Sequence, residues 1–149
     1  MARVSLLDVN VLVALFDPDH VHHDLAHDWF ADHRADGWAT CAVTENAFVR
    51  IVSNPQYQPD GPRPAVALDH LRRFSASGDH HFWADAVSLR DDQLFDLSVV
   101  RGYRQVTDVY LLGLATRMGG KLATFDRTIP AGAVKGAGAE TRLVIAPTE

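Results

Sequence analysis

Cysteine is almost missing from this sequence: Cys41 is the only one, so the chain cannot form an internal disulfide. No apolar run approaches the ~20 residues that a membrane-spanning helix needs. The N-terminal segment reaches an acidic residue, Asp8, too early for the apolar core of a signal peptide. These absences predict a soluble protein with a buried thiol and no membrane partner, and the cytoplasm is its expected location.

Positive charge is also scarce, because 14 lysines and arginines stand against 19 acidic residues, for a net charge of −5. This balance argues against a protein that coats nucleic acid with a basic surface. A nuclease remains possible, since an acidic site takes up cations and a few local arginines can hold phosphates. The candidates, for each of which a solvated surface charge is the more common role, are Arg50, Arg72, Arg73, Arg101, Arg104 and Arg127.

Several familiar catalytic patterns are missing as well. The sequence shows no Ser/His/Asp or Cys/His set and no glycine-rich phosphate loop. His23 and His27 have the spacing that can hold zinc on a helix, but Asp24 stands where the H-E-x-x-H pattern requires glutamate. We therefore interpret the histidines around them as a hydrated helix face.

What the chain does contain is an alternation of short apolar strands with amphipathic helical segments. Strands are predicted at residues 3–8, 38–43, 121–125 and 141–146, with a weaker one at 81–84. Helices are predicted at 10–16, 22–36, 44–53, 65–77 and 89–100, and from 107 to the glycine pair at 119–120. The pattern predicts one α/β domain over residues 1–149, with a central, mostly parallel sheet flanked by helices.

Four carboxylates stand at the boundaries between these elements. Asp8 and Asp126 follow predicted strands, whereas Glu45 and Asp108 begin predicted helices. Such positions can meet at one edge of an α/β sheet, where two charges ~5 Å apart repel by roughly 3 kcal/mol at an effective dielectric of ~20. Protonation or a bound cation relieves the repulsion, and oxygen-only ligands suit Mg²⁺ or Mn²⁺. The leading hypothesis is therefore a metal-dependent phosphodiester hydrolase.

Each of the four acids also has a simpler interpretation. Asp8 is suited to cap the helix that follows it. Glu45 and Asp108 are favoured by the dipole of a helix N-terminus, and Asp126 is a common turn residue. Only the repetition of the same boundary position four times favours a shared site.

The ordered set of four stretches resembles the PIN-domain ribonucleases, specifically the VapC-type toxins of bacterial toxin–antitoxin pairs. The resemblance rests on residues 7–12 (LDVNVL), 44–50 (TENAFVR), 107–115 (TDVYLLGLA) and 122–127 (LATFDR). It implies a PIN-like domain, an Mg²⁺- or Mn²⁺-dependent endoribonuclease acting on RNA, a homodimer, and inhibition by a small antitoxin protein.

The resemblance also implies an acidic quartet of Asp8, Glu45, Asp108 and Asp126. In our hypothesis Asp8 and Asp108 bind the principal ion directly. Glu45 and Asp126 act through water or hold a second ion. Asn10 and Thr107 are polar neighbours that orient ligands or water.

Two alternatives stay open at the level of sequence. A strand ending at Asp8 faintly resembles haloacid-dehalogenase-like phosphatases, but Asn10 occupies the place of their second acid and no cap domain is evident. The chain could also be a non-catalytic PIN-like module that binds RNA or a protein. Retention of four mutually repelling acids argues against that module.

Overall fold

The computed structural model describes residues 3–147. Five short strands form one sheet in the order β3-β2-β1-β4-β5, and every neighbouring pair runs parallel. The fold class predicted from the sequence is confirmed. The strands are β1 (Ser5–Leu7), β2 (Trp38–Cys41), β3 (His80–Trp83), β4 (Lys121–Thr124) and β5 (Arg142–Val144).

Five α-helices connect or cover these strands, and short 3₁₀ turns fill several of the connections. None of the helices within residues 3–147 is both long and apolar enough to cross a bilayer. The helices are α1 (Val9–Phe16), α2 (His23–His33), α3 (Ala42–Val52), α4 (Pro64–Ser75) and α5 (Val106–Arg117).

The sheet separates two apolar cores, and the pleat of β1 explains how. Leu6 and Leu7 are both fully buried, as expected for a strand at the centre of a parallel sheet. Because successive side chains point to opposite faces, Leu7 joins the core formed with α1 to α4, whereas Leu6 joins the core beneath α5.

The strand order determines where a site can form. From β1 the chain adds β2 on one side, and it later adds β4 on the other side. In open parallel sheets, a crevice lies outside the carboxyl ends of the strands where the order reverses in this way. Asp8 and Asp126 both follow strands that border this point, and the register pairs Leu7 with Ala123.

One predicted helix, at residues 89–100, is wrong. The segment instead forms turns and a 3₁₀ helix at Leu97–Val99. Its backbone groups are used elsewhere: Asp96 N–H donates to the Ala133 carbonyl at 2.8 Å, and Lys135 N–H donates to the Leu94 carbonyl at 2.8 Å. Leu94 and Phe95 are buried in the core beneath α5, whereas Leu97 and Val99 are exposed.

A second correction concerns the start of α3. The sequence places the helix cap at Thr44, but the helix begins two residues earlier, at Ala42, after an extended Cys41. The Thr44 hydroxyl accepts the Cys41 backbone N–H at 3.0 Å, so it stabilises the helix start from inside the first turn. The Cys41 thiol is buried, as predicted.

Candidate active site

Asp8 lies at the junction between β1 and α1 and is only 4% exposed. Its Oδ1 accepts the Val9 N–H at 2.7 Å, so it does cap the helix. Its Oδ2 accepts the Thr124 hydroxyl, also at 2.7 Å, across the β1–β4 pair. Burial raises the pKa of the Asp8 carboxyl, and the nearby charge of Asp126 acts in the same direction.

Asp108 lies in the first turn of α5 and is partly buried. Its pKa is raised to about 7, first by burial and then by the negative charges of Asp8 and Asp126. The dipole at a helix N-terminus favours the charged form of a carboxyl group and would by itself lower its pKa, which is opposite to the shift of Asp108. Repulsion from neighbouring carboxylates and poor solvation outweigh that preference.

Asp126 follows β4 and is held by a tight network. Its backbone N–H donates to the Thr124 hydroxyl at 3.1 Å. Its Oδ1 accepts the Thr128 N–H at 2.7 Å and the Thr128 hydroxyl at 2.6 Å. Asp126 therefore forms the turn that its simpler interpretation predicts, and its charge still reaches both Asp8 and Asp108.

Glu45 is placed differently from the three aspartates. It lies in the first turn of α3, beyond the carboxyl end of β2, and its Oε2 accepts the Thr40 hydroxyl at 2.7 Å. The same hydroxyl lies 2.8 Å from His80 Nε2, and the charge of Glu45 acts on the pKa of His80. The structure thus brings three of the four acids within electrostatic reach of one another and places Glu45 at the end of the neighbouring strand.

Asn10 and Thr107, predicted as polar neighbours, occupy separate places. Asn10 is exposed in the first turn of α1 and lines an open cleft with Asp126. Thr107 is exposed beside Asp108 and borders another depression, lined by Val43 and Tyr110 among others. Asn10 is therefore the better placed of the two to contact a molecule bound near Asp126.

Exposed arginines lie on more than one side of the acids. Arg101 precedes the 3₁₀ turn at Tyr103–Gln105 and Arg104 lies within it; from the same turn, Gln105 Nε2 donates to the Thr128 carbonyl at 3.3 Å in the loop that carries Asp126. On the side of Glu45, Arg50 and Arg72 each line a depression that also contains Glu45.

The histidine cluster is only in part the hydrated helix face that we predicted, because His27 is exposed but His23 is partly buried, and both rings contact backbone carbonyls. His23 Nδ1 lies 2.6 Å from the Ala14 carbonyl, and His27 Nε2 lies 2.8 Å from the Leu15 carbonyl. These two rings bind carbonyl groups in the last turns of α1, which lack helical partners. They are therefore structural residues that join α1 to α2.

Thr124 is the clearest residue that sequence reasoning missed. It is fully buried and hydrogen-bonded to both Asp8 and the Asp126 backbone, so it connects two of the acids. The sequence does contain an indication of this role, because Thr124 is a hydroxyl residue near the end of the strand predicted to precede Asp126. Its role only becomes evident once β4 is paired with β1.

If Asp8 holds a metal ion, as the sequence resemblance implies, Thr124→Val should lower RNA cleavage about 10- to 100-fold, the usual effect of losing an outer hydrogen bond to a ligand carboxylate. Thr124→Ser keeps the hydroxyl and should retain most activity. Steady-state cleavage assays of both variants at equal folded concentration provide the measurement. Equal activity of the serine and valine variants would contradict the orienting role.

The side chains at this edge of the sheet can be compared with the ligands that a metal ion requires. Within residues 3–147, no three His, Cys, Asp or Glu side chains form a ready-made cage for a metal ion. Mg²⁺ does not require one, since it usually keeps several waters and takes one or two carboxylates. Asp8, Asp108 and Asp126 supply only oxygen atoms, and a cation would relieve the repulsion that raises the pKa of Asp8 and Asp108. The donor set therefore fits a hard divalent ion.

Comparison with known proteins agrees with this geometry. Residues 5–135 match the PIN domain family. The chain is 46% identical over 133 residues to Ribonuclease VapC44 of Mycobacterium tuberculosis (strain H37Rv), covering 89% of this chain and 93% of that protein. It is 48% identical over 123 residues to Ribonuclease VapC38 of the same strain, covering 83% of this chain and 85% of that protein. It is also 43% identical over 125 residues to Ribonuclease VapC39, with coverage of 84% and 90%.

Proposed function

Because the chain belongs to the PIN-domain family, and within it to the VapC-type ribonucleases, we propose that it is a divalent-metal-dependent endoribonuclease and the toxin of a type II toxin–antitoxin pair. The observation that carries the metal dependence is the raised pKa of Asp108, caused by burial and by the charges of Asp8 and Asp126. Asp8 and Asp108, whose charged forms are destabilised by burial and by the nearby charge of Asp126, are suited to a cation.

In this proposal Asp8 and Asp108 hold an Mg²⁺ or Mn²⁺ ion directly, and Asp126 and Glu45 act through water or a second ion. When bound, the ion lowers the pKa of water and neutralises charge on the phosphoryl oxygens. Thr124 keeps the Asp8 carboxylate in a fixed orientation through its 2.7 Å hydrogen bond. The products of hydrolysis would be a 3′-hydroxyl and a 5′-phosphate.

Arginines on both sides of the acids support an extended RNA substrate. Arg101 and Arg104 belong to the segment whose Gln105 contacts the Asp126 loop, and Arg50 and Arg72 line depressions that also contain Glu45, with Arg72 paired to Asp69 at 3.2 Å. A single strand that crosses the acidic edge would meet local positive charge at either end, even though the chain as a whole carries a net charge of −5.

We also propose a homodimer, inhibition by a small antitoxin, and a cytoplasmic location. An apolar depression between α1, α3 and α4 provides surface for a protein partner; its lining includes Leu12, Phe16, Phe48 and Phe74. The lone buried Cys41 suits a reducing compartment. Light scattering of the purified protein, alone and with the product of a neighbouring small gene, tests both assemblies.

The function itself is tested by incubating RNA with the protein in EDTA, Mg²⁺ or Mn²⁺ and by analysing the ends of the products. We expect cleavage only with a divalent ion, and ligation-competent 5′-phosphates. Metal-independent cutting, or the absence of cutting in every buffer, would contradict the proposal. The second result would favour a non-catalytic binding module instead.

Metal binding has its own prediction. A site with a dissociation constant one hundredth of the Mn²⁺ concentration should stabilise the fold by about 2.7 kcal/mol, which raises the melting temperature by several degrees. EDTA should reverse the shift. Differential scanning calorimetry at fixed ionic strength, with Ca²⁺ and Na⁺ as comparison ions, provides the measurement. An unchanged melting temperature at millimolar Mn²⁺ would contradict a resident metal site.

A further inference from the structure

The loop between α1 and α2 places two imidazole rings against Phe125, the residue directly before Asp126. The centroid of the His22 ring lies 4.6 Å from that of Phe125, with the planes 34° apart. The His20 ring lies 6.3 Å from Phe125 at 27°, and 5.8 Å from His22 at 44°. The three rings are thus roughly layered, and we call them the ring cluster.

The ring cluster is held in place by hydrogen bonds of its own loop. His20 Nδ1 accepts the His22 backbone N–H at 3.0 Å, which fixes the His20 ring relative to the chain. At the start of the loop, Asp17 Oδ1 accepts the Asp19 N–H at 2.9 Å, and Asp17 Oδ2 accepts the Tyr57 hydroxyl at 2.5 Å. A loop anchored in this way presents its rings in one arrangement before any ligand arrives.

The rings are only partly buried, and they line an open cleft of about 360 Å³. The other lining residues are Asn10 and Asp126. The cleft therefore joins aromatic surface to one of the proposed catalytic acids, and the exposed Asn10 amide lines the same cleft.

We propose that the ring cluster is a stacking platform for one unpaired RNA base next to the scissile phosphate. Single-stranded RNA is commonly held by stacking of splayed bases on aromatic and imidazole rings. The Asn10 amide has both a donor and an acceptor, so it can hydrogen-bond a base edge or a ribose hydroxyl. The inference rests on the proposed ribonuclease function, and it assigns substrate positioning to three residues outside the acidic quartet.

The test compares His22→Ala, which removes a ring, with His22→Phe, which keeps one. The matched control is His33→Ala, because His33 stacks on Trp29 in α2, with ring centroids 5.1 Å apart, and does not line the cleft. Each protein is assayed on a single-stranded RNA with one cleavage site, and on the same RNA with single abasic nucleotides at each flanking position.

We expect His22→Ala to lower kcat/KM by about tenfold, the usual scale for loss of one stacked base. His22→Phe should recover most of that loss, and the control His33→Ala should stay near the wild type. At one flanking position, an abasic nucleotide should lower the kcat/KM of the wild type by a similar factor. The same abasic nucleotide should not lower the kcat/KM of His22→Ala any further. Phe125→Leu, which keeps apolar volume without a ring, should behave like His22→Ala.

Two results would overturn the platform. The first is a His22→Ala variant that cleaves like His33→Ala. The second is an abasic nucleotide that lowers kcat/KM by the same factor in the wild type and in His22→Ala at every position. The base and the ring would then act independently. Both can be observed in an enzyme that cleaves RNA normally, whereas loss of all cleavage by the wild type contradicts the proposed function itself.

Discussion

Replacing Asp108 by asparagine is expected to abolish metal-dependent RNA cleavage and at the same time to stabilise the metal-free protein. Asparagine keeps the size of the side chain but removes the charge that a divalent ion needs. We expect kcat/KM to fall at least about a thousandfold, which corresponds to roughly 4 kcal/mol of lost transition-state stabilisation. Asp8→Asn should lose activity to a similar degree.

The stability change follows from the pKa of Asp108, which is about 7 in the folded protein and near 3.8 in an unfolded chain. A folded-state pKa above the unfolded one means that the folded protein binds the proton more tightly. The stabilising contribution is therefore complete below pH 3.8 and is lost as the pH rises through 7. At pH 8 in EDTA the wild type carries an unfavourable charge that the variant lacks.

We expect Asp108→Asn to exceed the wild type in stability at pH 8 by about 1–2 kcal/mol, a value reduced to allow for solvent screening of a partly exposed group. At pH 5 the difference should be less than half as large, and it should vanish only below about pH 3.8, where the carboxyl is protonated in the unfolded chain as well. Saturating Mn²⁺ at pH 8 should reverse the order, since only the wild type gains the bound ion.

Thermal unfolding at pH 5 and pH 8, with EDTA or Mn²⁺, provides these comparisons. Asp28→Asn is a suitable control, because Asp28 is an exposed acid on α2 and its loss should change neither activity nor the pH dependence. A variant that is less stable than the wild type at pH 8 in EDTA would show that Asp108 is a structural carboxylate.

The main elements of this fold are readable from local pattern because they depend on local chemistry. Strands buried on both faces appear as short apolar runs; Asp8 directly follows β1, and Asp126 follows β4 after one intervening residue, Phe125. Gly37, which adopts φ of 95°, ends the helical segment before β2 where the sequence predicts it. Parallel pairing of β1 and β4 then brings residues 118 positions apart to the same edge.

Other features depend on tertiary contacts that no local pattern records. Residues 89–100 have helical composition, but their backbone groups bond to the segment at 131–135. His20 and His22 look like solvated charges until the α1–α2 loop is placed over Phe125. Glu45 shares the boundary position of the other acids, but the Thr40 hydroxyl and the position of β2 determine where its carboxylate lies.

Gly120→Ala is expected to be the most destabilising small substitution in the connection between α5 and β4. A Cβ at this position would lie 2.4 Å from the Val4 carbonyl oxygen and 2.6 Å from the Trp83 ring. The Val4 carbonyl accepts the Lys121 N–H at 3.0 Å beside the β1–β4 pair, so it cannot retreat without disturbing the centre of the sheet. We expect a loss of about 3 kcal/mol or more in the free energy of unfolding.

The preceding glycine offers a matched control. Gly119 has φ of 71°, but a Cβ there would meet nothing within 4 Å. Gly119→Ala should therefore cost only the strain of a left-handed alanine, about 1–2 kcal/mol, and Gly119→Asn should cost less. Urea denaturation of the three variants measures the difference. If Gly120→Ala is no less stable than Gly119→Ala, the close approach of α5, β1 and β3 at Gly120 is not what holds this edge of the sheet together. Because β1 and β4 carry Asp8 and Asp126 at their far ends, a Gly120→Ala protein that still folds should also lose part of its cleavage activity.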